Sequence, residues 1–111
     1  NSGQFEDAID ALKNFSSDDI MVSTIAFGAI GDSHLELGDI ESAITYYEKA
    51  VENGENKLTS PIYLFKAGLA YEEIEDYLTA EATYNLIKTD YPTSREAQTI
   101  DKYIARAKAM Q

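Results

Sequence analysis

The chain has no cysteine and no tryptophan, and only one histidine and two prolines among 111 residues. The lack of cysteine excludes disulfides, thiolate metal sites and thiol nucleophiles, and fits a reducing or an oxidising compartment equally well. No apolar run approaches the roughly 20 residues that span a bilayer. Basic residues are scarce, nine against twenty acidic ones, for a formal charge of -11. This deficit argues against nucleic acid and anionic lipid as partners, because no basic stripe is left for phosphate.

What is present is the composition of a single soluble globular domain, with 44% hydrophobic and 26% charged residues. The length supports one core but not a second. The acidic excess is either a solvated surface or a means of steering a basic partner. The chain begins at Asn1 without a leader, and we expect it to be a fragment of a longer chain.

A repeat is visible when the sequence is compared with itself at shifts of 35 and then 37 residues. Small and large apolar residues recur in register, so each unit is predicted to be a pair of helices. At the first shift Phe5, Ala8 and Ile9 align with Ile40, Ala43 and Ile44, and at the second shift Ile30, Gly31, Ala43 and Tyr47 align with Ala67, Gly68, Ala80 and Tyr84.

Capping residues support this division. Ser17 or Asp18 is predicted to cap a helix that stops at Gly38, and Asp39 to cap a second helix that ends near residues 53–54. A further pair should begin where Ser60, as cap, precedes Pro61 in the first turn.

A last helix is predicted after Pro92, where Thr93 and Glu96 have the spacing of a capping box. One face of this helix is apolar and the other is polar and basic, as the open end of a stacked repeat requires. The apolar face consists of Ala97, Ile100, Ile104 and Ala107.

The recurring positions resemble the tetratricopeptide repeat over residues 3 to 92. In the middle unit they are Phe27, Ile30, Gly31, His34, Gly38, Ile40, Ala43, Tyr47 and Ala50; in the last unit they are Leu64, Ala67, Gly68, Tyr71, Glu75, Tyr77, Ala80, Tyr84, Ile87 and Pro92. Three departures are His34 at an aromatic position, Glu75 at the turn glycine, and a longer link over residues 54–60. Small residues should lie where helices approach to about 8–10 Å.

The resemblance implies an all-α fold, a right-handed superhelical stack of antiparallel helix pairs. We expect one domain over residues 1–111, with about two and a half repeats and a cap. Its parts are a half repeat at 5–15, repeats at 17–53 and 60–91, and a capping helix at 94–109.

The segment from Tyr84 to Ser94 also resembles repeats of bacterial cell-envelope proteins, of the membrane-anchored translocon-associated or outer-membrane assembly type. In those families an anchor precedes the repeats. The resemblance implies a periplasmic domain whose parent chain is anchored in the membrane, rather than a cytoplasmic one.

Candidate residues for chemistry are few. Asp32 and Glu36 flank His34 in sequence, but residues two apart point about 200° apart on a helix. His34 is therefore predicted to be a satisfied core histidine rather than a metal ligand. The acidic cluster at residues 72–76 lacks the ligand spacing of a calcium loop, and a solvated helix end explains it better. Motifs for nucleophilic, phosphoryl or zinc chemistry are missing, so we expect no enzyme, cofactor or metal.

In the family the first helix of each pair lines the concave face. Beside its core positions lies a stripe at helical spacing, which we expect to bind a peptide or helix of a partner protein. The stripe consists of Ile25, Gly28, Ala29, Asp32, Ile62, Phe65, Lys66 and Leu69. Lys66 is its one cation, which makes binding of a terminal carboxylate doubtful.

The predicted function is a non-catalytic scaffold, an adaptor or chaperone-like module. One alternative is that the stripe is covered by a missing helix, the tail of the chain or a second copy. The other is a structural module that self-associates through the half repeat around Phe5 and Phe15.

Overall fold

The computed structural model describes residues 2–13 and 19–111, and all regular structure in these two ranges is helical. The predicted all-α stack is confirmed. Helices adjacent in sequence pack on each other in a body of 39 × 28 × 17 Å. None of the helices in this described part is long and apolar enough to cross a membrane. The elements are α1 (Ser2–Lys13), α2 (Ile20–Glu36), α3 (Ile40–Asn53), α4 (Ser60–Glu73), α5 (Tyr77–Asp90), a 3-10 turn (Glu96–Gln98) and α6 (Ile100–Ala109).

The turns inside the two helix pairs are built alike. Gly38 precedes α3 with φ 82°, and Glu75 precedes α5 with φ 61°. The next residue caps the helix: the carboxylate of Asp39 accepts the N–H of Ser42, as the sequence predicted, and that of Asp76 accepts the N–H of Thr79. The hydrogen bonds from Ser42 hold the pKa of Asp39 below its usual range.

Helix α2 begins later than expected. Its N-cap is Asp19, whose carboxylate accepts the N–H groups of Met21 and Val22. The predicted caps, Ser17 and Asp18, lie outside the described residues. Asp19 performs the same task one or two positions further along the chain.

The prediction that Ser60 caps α4 is wrong, although Pro61 does lie in the first turn. Ser60 is already helical, and its hydroxyl accepts the N–H of Asn56. The side-chain oxygen of Asn56 accepts the N–H groups of Leu58 and Thr59, which closes a turn. Because this turn leads directly into the helix, the N-cap position falls on Thr59.

The capping box predicted from Thr93 and Glu96 is also wrong. The hydroxyl of Ser94 accepts the N–H of Ala97, and the chain forms a 3-10 turn before α6 begins. The apolar face of α6 nevertheless packs as predicted, with Ile100 and Ala107 fully buried.

Small residues allow the helices of each pair to approach. Gly31 faces Tyr47, and a Cβ added to the glycine would lie 2.7 Å from the tyrosine ring. Gly68 faces Tyr84 in the same way, at 2.3 Å. Both tyrosines are fully buried, as are Ala43 and Ala80 beside them. The recurring small positions therefore lie in the core, as the sequence predicted.

In the half repeat, Ile9 is buried and Phe5 is half-buried, with α1 packed on α2. Phe15 lies outside the described residues. The division of the chain into units remains a prediction.

Candidate functional site

A groove of about 770 Å³ lies across the stack, and every helix from α2 to α6 contributes to it. Part of its lining is apolar, and we call this part the apolar wall. The apolar wall consists of Leu35, Ile40, Leu69, Ala70, Tyr77 and Met110; the remaining lining residues are Asp32, Tyr47, Lys66, Glu72, Glu73, Glu75 and Arg106.

One carboxylate that lines the groove joins three helices. The hydroxyl of Tyr47, on α3, donates to Asp32 Oδ1 on α2 at 2.6 Å. Lys66 Nζ, on α4, donates to both oxygens of Asp32 at 2.9 and 3.0 Å. Burial raises the pKa of Tyr47, and its hydrogen bond to Asp32 raises it further. We call this arrangement the Asp32 tie.

The second unit repeats the arrangement with other residues. The hydroxyl of Tyr84, on α5, donates to Glu72 Oε2 on α4 at 2.5 Å. Arg106, on α6, donates to both oxygens of Glu72, at 2.9 Å from Nε and 2.6 Å from Nη2. Burial raises the pKa of Glu72, but the hydrogen bonds from Arg106 and Tyr84 outweigh it and hold the pKa below its usual range. This arrangement is the Glu72 tie.

The two ties occupy both cations of the groove. Glu73 and Glu75 are exposed at its edge, and within residues 2–13 and 19–111 neither makes an ion pair. The groove therefore combines an apolar wall with two carboxylates that no cation of the described residues neutralises.

Three of the eight predicted stripe residues, Asp32, Lys66 and Leu69, line the groove. Gly28 does not, because the ring of Tyr63 packs on it, so close that an added Cβ would lie 2.2 Å away. Ile62 and Ala29 are half-buried outside the groove, and Ile25 is half-exposed beyond it.

Phe65 is covered by neighbouring rings. Its ring lies edge-on to that of Tyr103, with the centroids 4.8 Å apart, and is tilted on that of Tyr84 at 6.1 Å. The binding role of all eight stripe residues remains a prediction.

Several groove residues were missed by the sequence analysis. Leu35 and Glu72 lie three residues after Asp32 and Leu69, one turn further along the same helix faces. Extending the stripe by one turn would have found them. Arg106 and Met110 could not have been found this way. Arg106 lies on α6 and Met110 is the C-cap of that helix, and both reach the groove only because α6 packs on α5.

The prediction that His34 is a satisfied core histidine is half correct. Its ring is 14% exposed and stacks on that of Tyr46, with the centroids 5.4 Å apart. Neither ring nitrogen has a hydrogen-bond partner among the described residues, and Asp39 Oδ2 lies 3.6 Å from Nδ1. In the same part of the chain, no group of three histidine, aspartate or glutamate residues could hold a metal ion.

A family model described as the tetratricopeptide repeat matches residues 1–56 and 29–95. The two matches overlap and together cover most of the 111 residues, including four of the five helices that form the groove. A search of the curated proteins gives no significant match. The paired helices, the buried glycines and the family match lead to one conclusion: the chain belongs to the tetratricopeptide repeat family.

Proposed function

We propose that the chain is a non-catalytic scaffold that holds a segment of another protein in its groove. Tetratricopeptide repeats generally mediate protein–protein interaction, and the family is typically non-catalytic. The observation that carries the proposal is the apolar wall, an apolar surface inside a concave site on a protein with a formal charge of -11. Leu35 is 37% exposed and Met110 is 54% exposed.

Contact with the apolar wall would supply most of the free energy of binding. Fully burying a leucine or methionine side chain contributes about 1.5–3 kcal/mol. A helical or extended segment with apolar side chains at suitable spacing could cover several wall residues at once. The carboxylates at the edge would then influence which segments bind.

The narrower role of adaptor or chaperone-like module in a bacterial cell envelope rests on the resemblance of residues 84–94 alone. Groove binding does not depend on that location.

A variant with Leu35→Gln and Met110→Gln tests the proposal. Both side chains are exposed, so the fold should survive their replacement. Peptides selected by the wild-type chain from a random 12-residue library on phage are labelled, and their affinities are measured by fluorescence anisotropy. We expect binding to the variant to weaken about 10- to 100-fold, because two apolar contacts are lost.

The matched control replaces two exposed leucines of α5 outside the groove, Leu78→Gln and Leu86→Gln. This control should bind the selected peptides like the wild type. Equal binding by the groove variant, or an equal loss in the control, would contradict the proposal. Phe65 is left unchanged, because its replacement would test its packing on Tyr103 rather than binding.

A further inference from the structure

The charges that line the groove do not balance. In the Asp32 tie and the Glu72 tie, each carboxylate is matched by one cation that donates to both of its oxygens. Glu73 and Glu75 have no such partner in the described part of the chain. An incoming segment therefore meets two negative charges beside the apolar wall that have no ion-pair partner within residues 2–13 and 19–111.

Helix ends of both signs lie at the groove. Leu35 and Glu73 lie in the last turns of α2 and α4, and Met110 is the C-cap of α6. Ile40 and Tyr77, the first residues of α3 and α5, also line the groove. The C-terminus of a helix carries a partial charge of about -0.5, because its last carbonyl groups have no partner within the helix. The N-terminus of a helix carries the opposite partial charge, so the ends of α3 and α5 offset two of the three C-terminal ends. The preference for a bound cation therefore rests mainly on Glu73 and Glu75.

The two free carboxylates also lie where helix stability disfavours them. Glu73 is the last residue of α4, whose last turn contains no basic residue, so the glutamate faces the negative end of the helix. Glu75 has a left-handed backbone conformation at a position where the preceding unit has Gly38. Stability alone would favour other residues at both positions.

Resting on the function proposed above, we infer that the groove selects a segment in which a lysine or arginine adjoins apolar side chains. The cation lies against Glu73 and Glu75, and the apolar side chains contact the apolar wall. An acidic segment would have to break a tie to find a cation, since Lys66 and Arg106 are already paired.

The inference is tested with Glu73→Gln and Glu75→Gln in one chain. The probes are the phage-selected peptides that lose binding when Leu35 and Met110 are replaced, so their binding depends on the groove. We expect these peptides to be enriched in lysine and arginine relative to the library. Their affinity for the variant should be about 3- to 30-fold lower than for the wild type, because the variant loses two exposed ion pairs with the peptide. Salt should weaken binding to the wild type more than binding to the variant.

The control, Glu41→Gln with Glu52→Gln, changes the net charge equally at exposed positions of α3 outside the groove. It should bind like the wild type, and a loss equal to that of the test variant would overturn the inference by showing that only total charge matters. The inference would also be overturned if the groove-dependent peptides were not enriched in lysine and arginine, or if they bound the test variant as tightly as the wild type. Either result would leave the proposed function intact. If no selected peptide depends on the groove, the proposed function fails as well.

Discussion

Gly31 and Tyr47 form one of the closest contacts between the helices of a pair. In an open helix, replacing glycine with alanine would stabilise by about 1 kcal/mol. Here the added Cβ would lie 2.7 Å from the ring of a fully buried tyrosine and 3.2 Å from the carbonyl oxygen of Ala43. We expect Gly31→Ala to lower the free energy of unfolding by about 1–3 kcal/mol, because the helices must move apart. Urea denaturation followed by circular dichroism measures this change.

A double-mutant cycle with Tyr47→Leu shows whether the ring is the cause. The smaller side chain makes room for the new methyl group, so Gly31→Ala should cost at least about 1 kcal/mol less in the Tyr47→Leu chain. If the effects of the two substitutions on the free energy of unfolding were additive, the added methyl group would clash with a residue other than Tyr47.

At the scale of the helices, each of the two ties joins a helix pair to the helix that follows it. A tyrosine and a carboxylate from one pair meet a cation from the following helix, and a carboxylate hydrogen-bonded on both oxygens is held firmly. Glu72 is 13% exposed, so it depends on Arg106 and Tyr84 for its hydrogen bonds. Removing Arg106 would leave a largely buried carboxylate without its cation.

We expect Arg106→Gln to lower the free energy of unfolding by about 0.5–1.5 kcal/mol. The control is Lys88→Gln, which removes the same charge from an exposed pair with Asp101 that links α5 to α6. It should change stability by less than about 0.5 kcal/mol. Thermal denaturation of both variants measures the two changes. Equal losses of stability would mean that the bidentate hydrogen bonding of Arg106 to Glu72 adds nothing to the free energy of unfolding.

Over the whole molecule, the sequence predicts what depends on near neighbours. The repeat places glycines and alanines opposite tyrosines, and Gly38 with Asp39 marks a turn and a cap within a few residues. The prediction that Ser60 caps α4 is wrong because the side chain of Asn56 closes the preceding turn. The Ser60–Pro61 pattern behind that prediction does not include Asn56. The groove was located only in part: Arg106 joins it because α6 docks on α5, and no local pattern encodes that docking.

Tyrosine hydroxyls distributed over the stack make its stability sensitive to alkaline pH. Tyr47, Tyr71, Tyr84 and Tyr91 donate to carboxylates on other elements. Burial and these carboxylates raise the pKa of all four above the ordinary value of 10, that of Tyr71 to about 12. The folded state therefore holds these protons more tightly than the unfolded state does.

Because the folded pKa values are raised, the stabilisation is complete below pH 10 and is lost as the pH rises above it. Between about pH 10 and 12, each tyrosine ionised only in the unfolded state lowers the free energy of unfolding by about 1.4 kcal/mol per pH unit. Urea denaturation from pH 8 to 11 should therefore show a steep fall above pH 10. Tyr71→Phe has one ionising group fewer, so its curve should fall less steeply. The difference should be smaller than that amount, because the hydrogen bond from Tyr71 to Glu48 is exposed and solvent screens it. A variant curve parallel to that of the wild type would show that the Tyr71 hydroxyl is not held by Glu48.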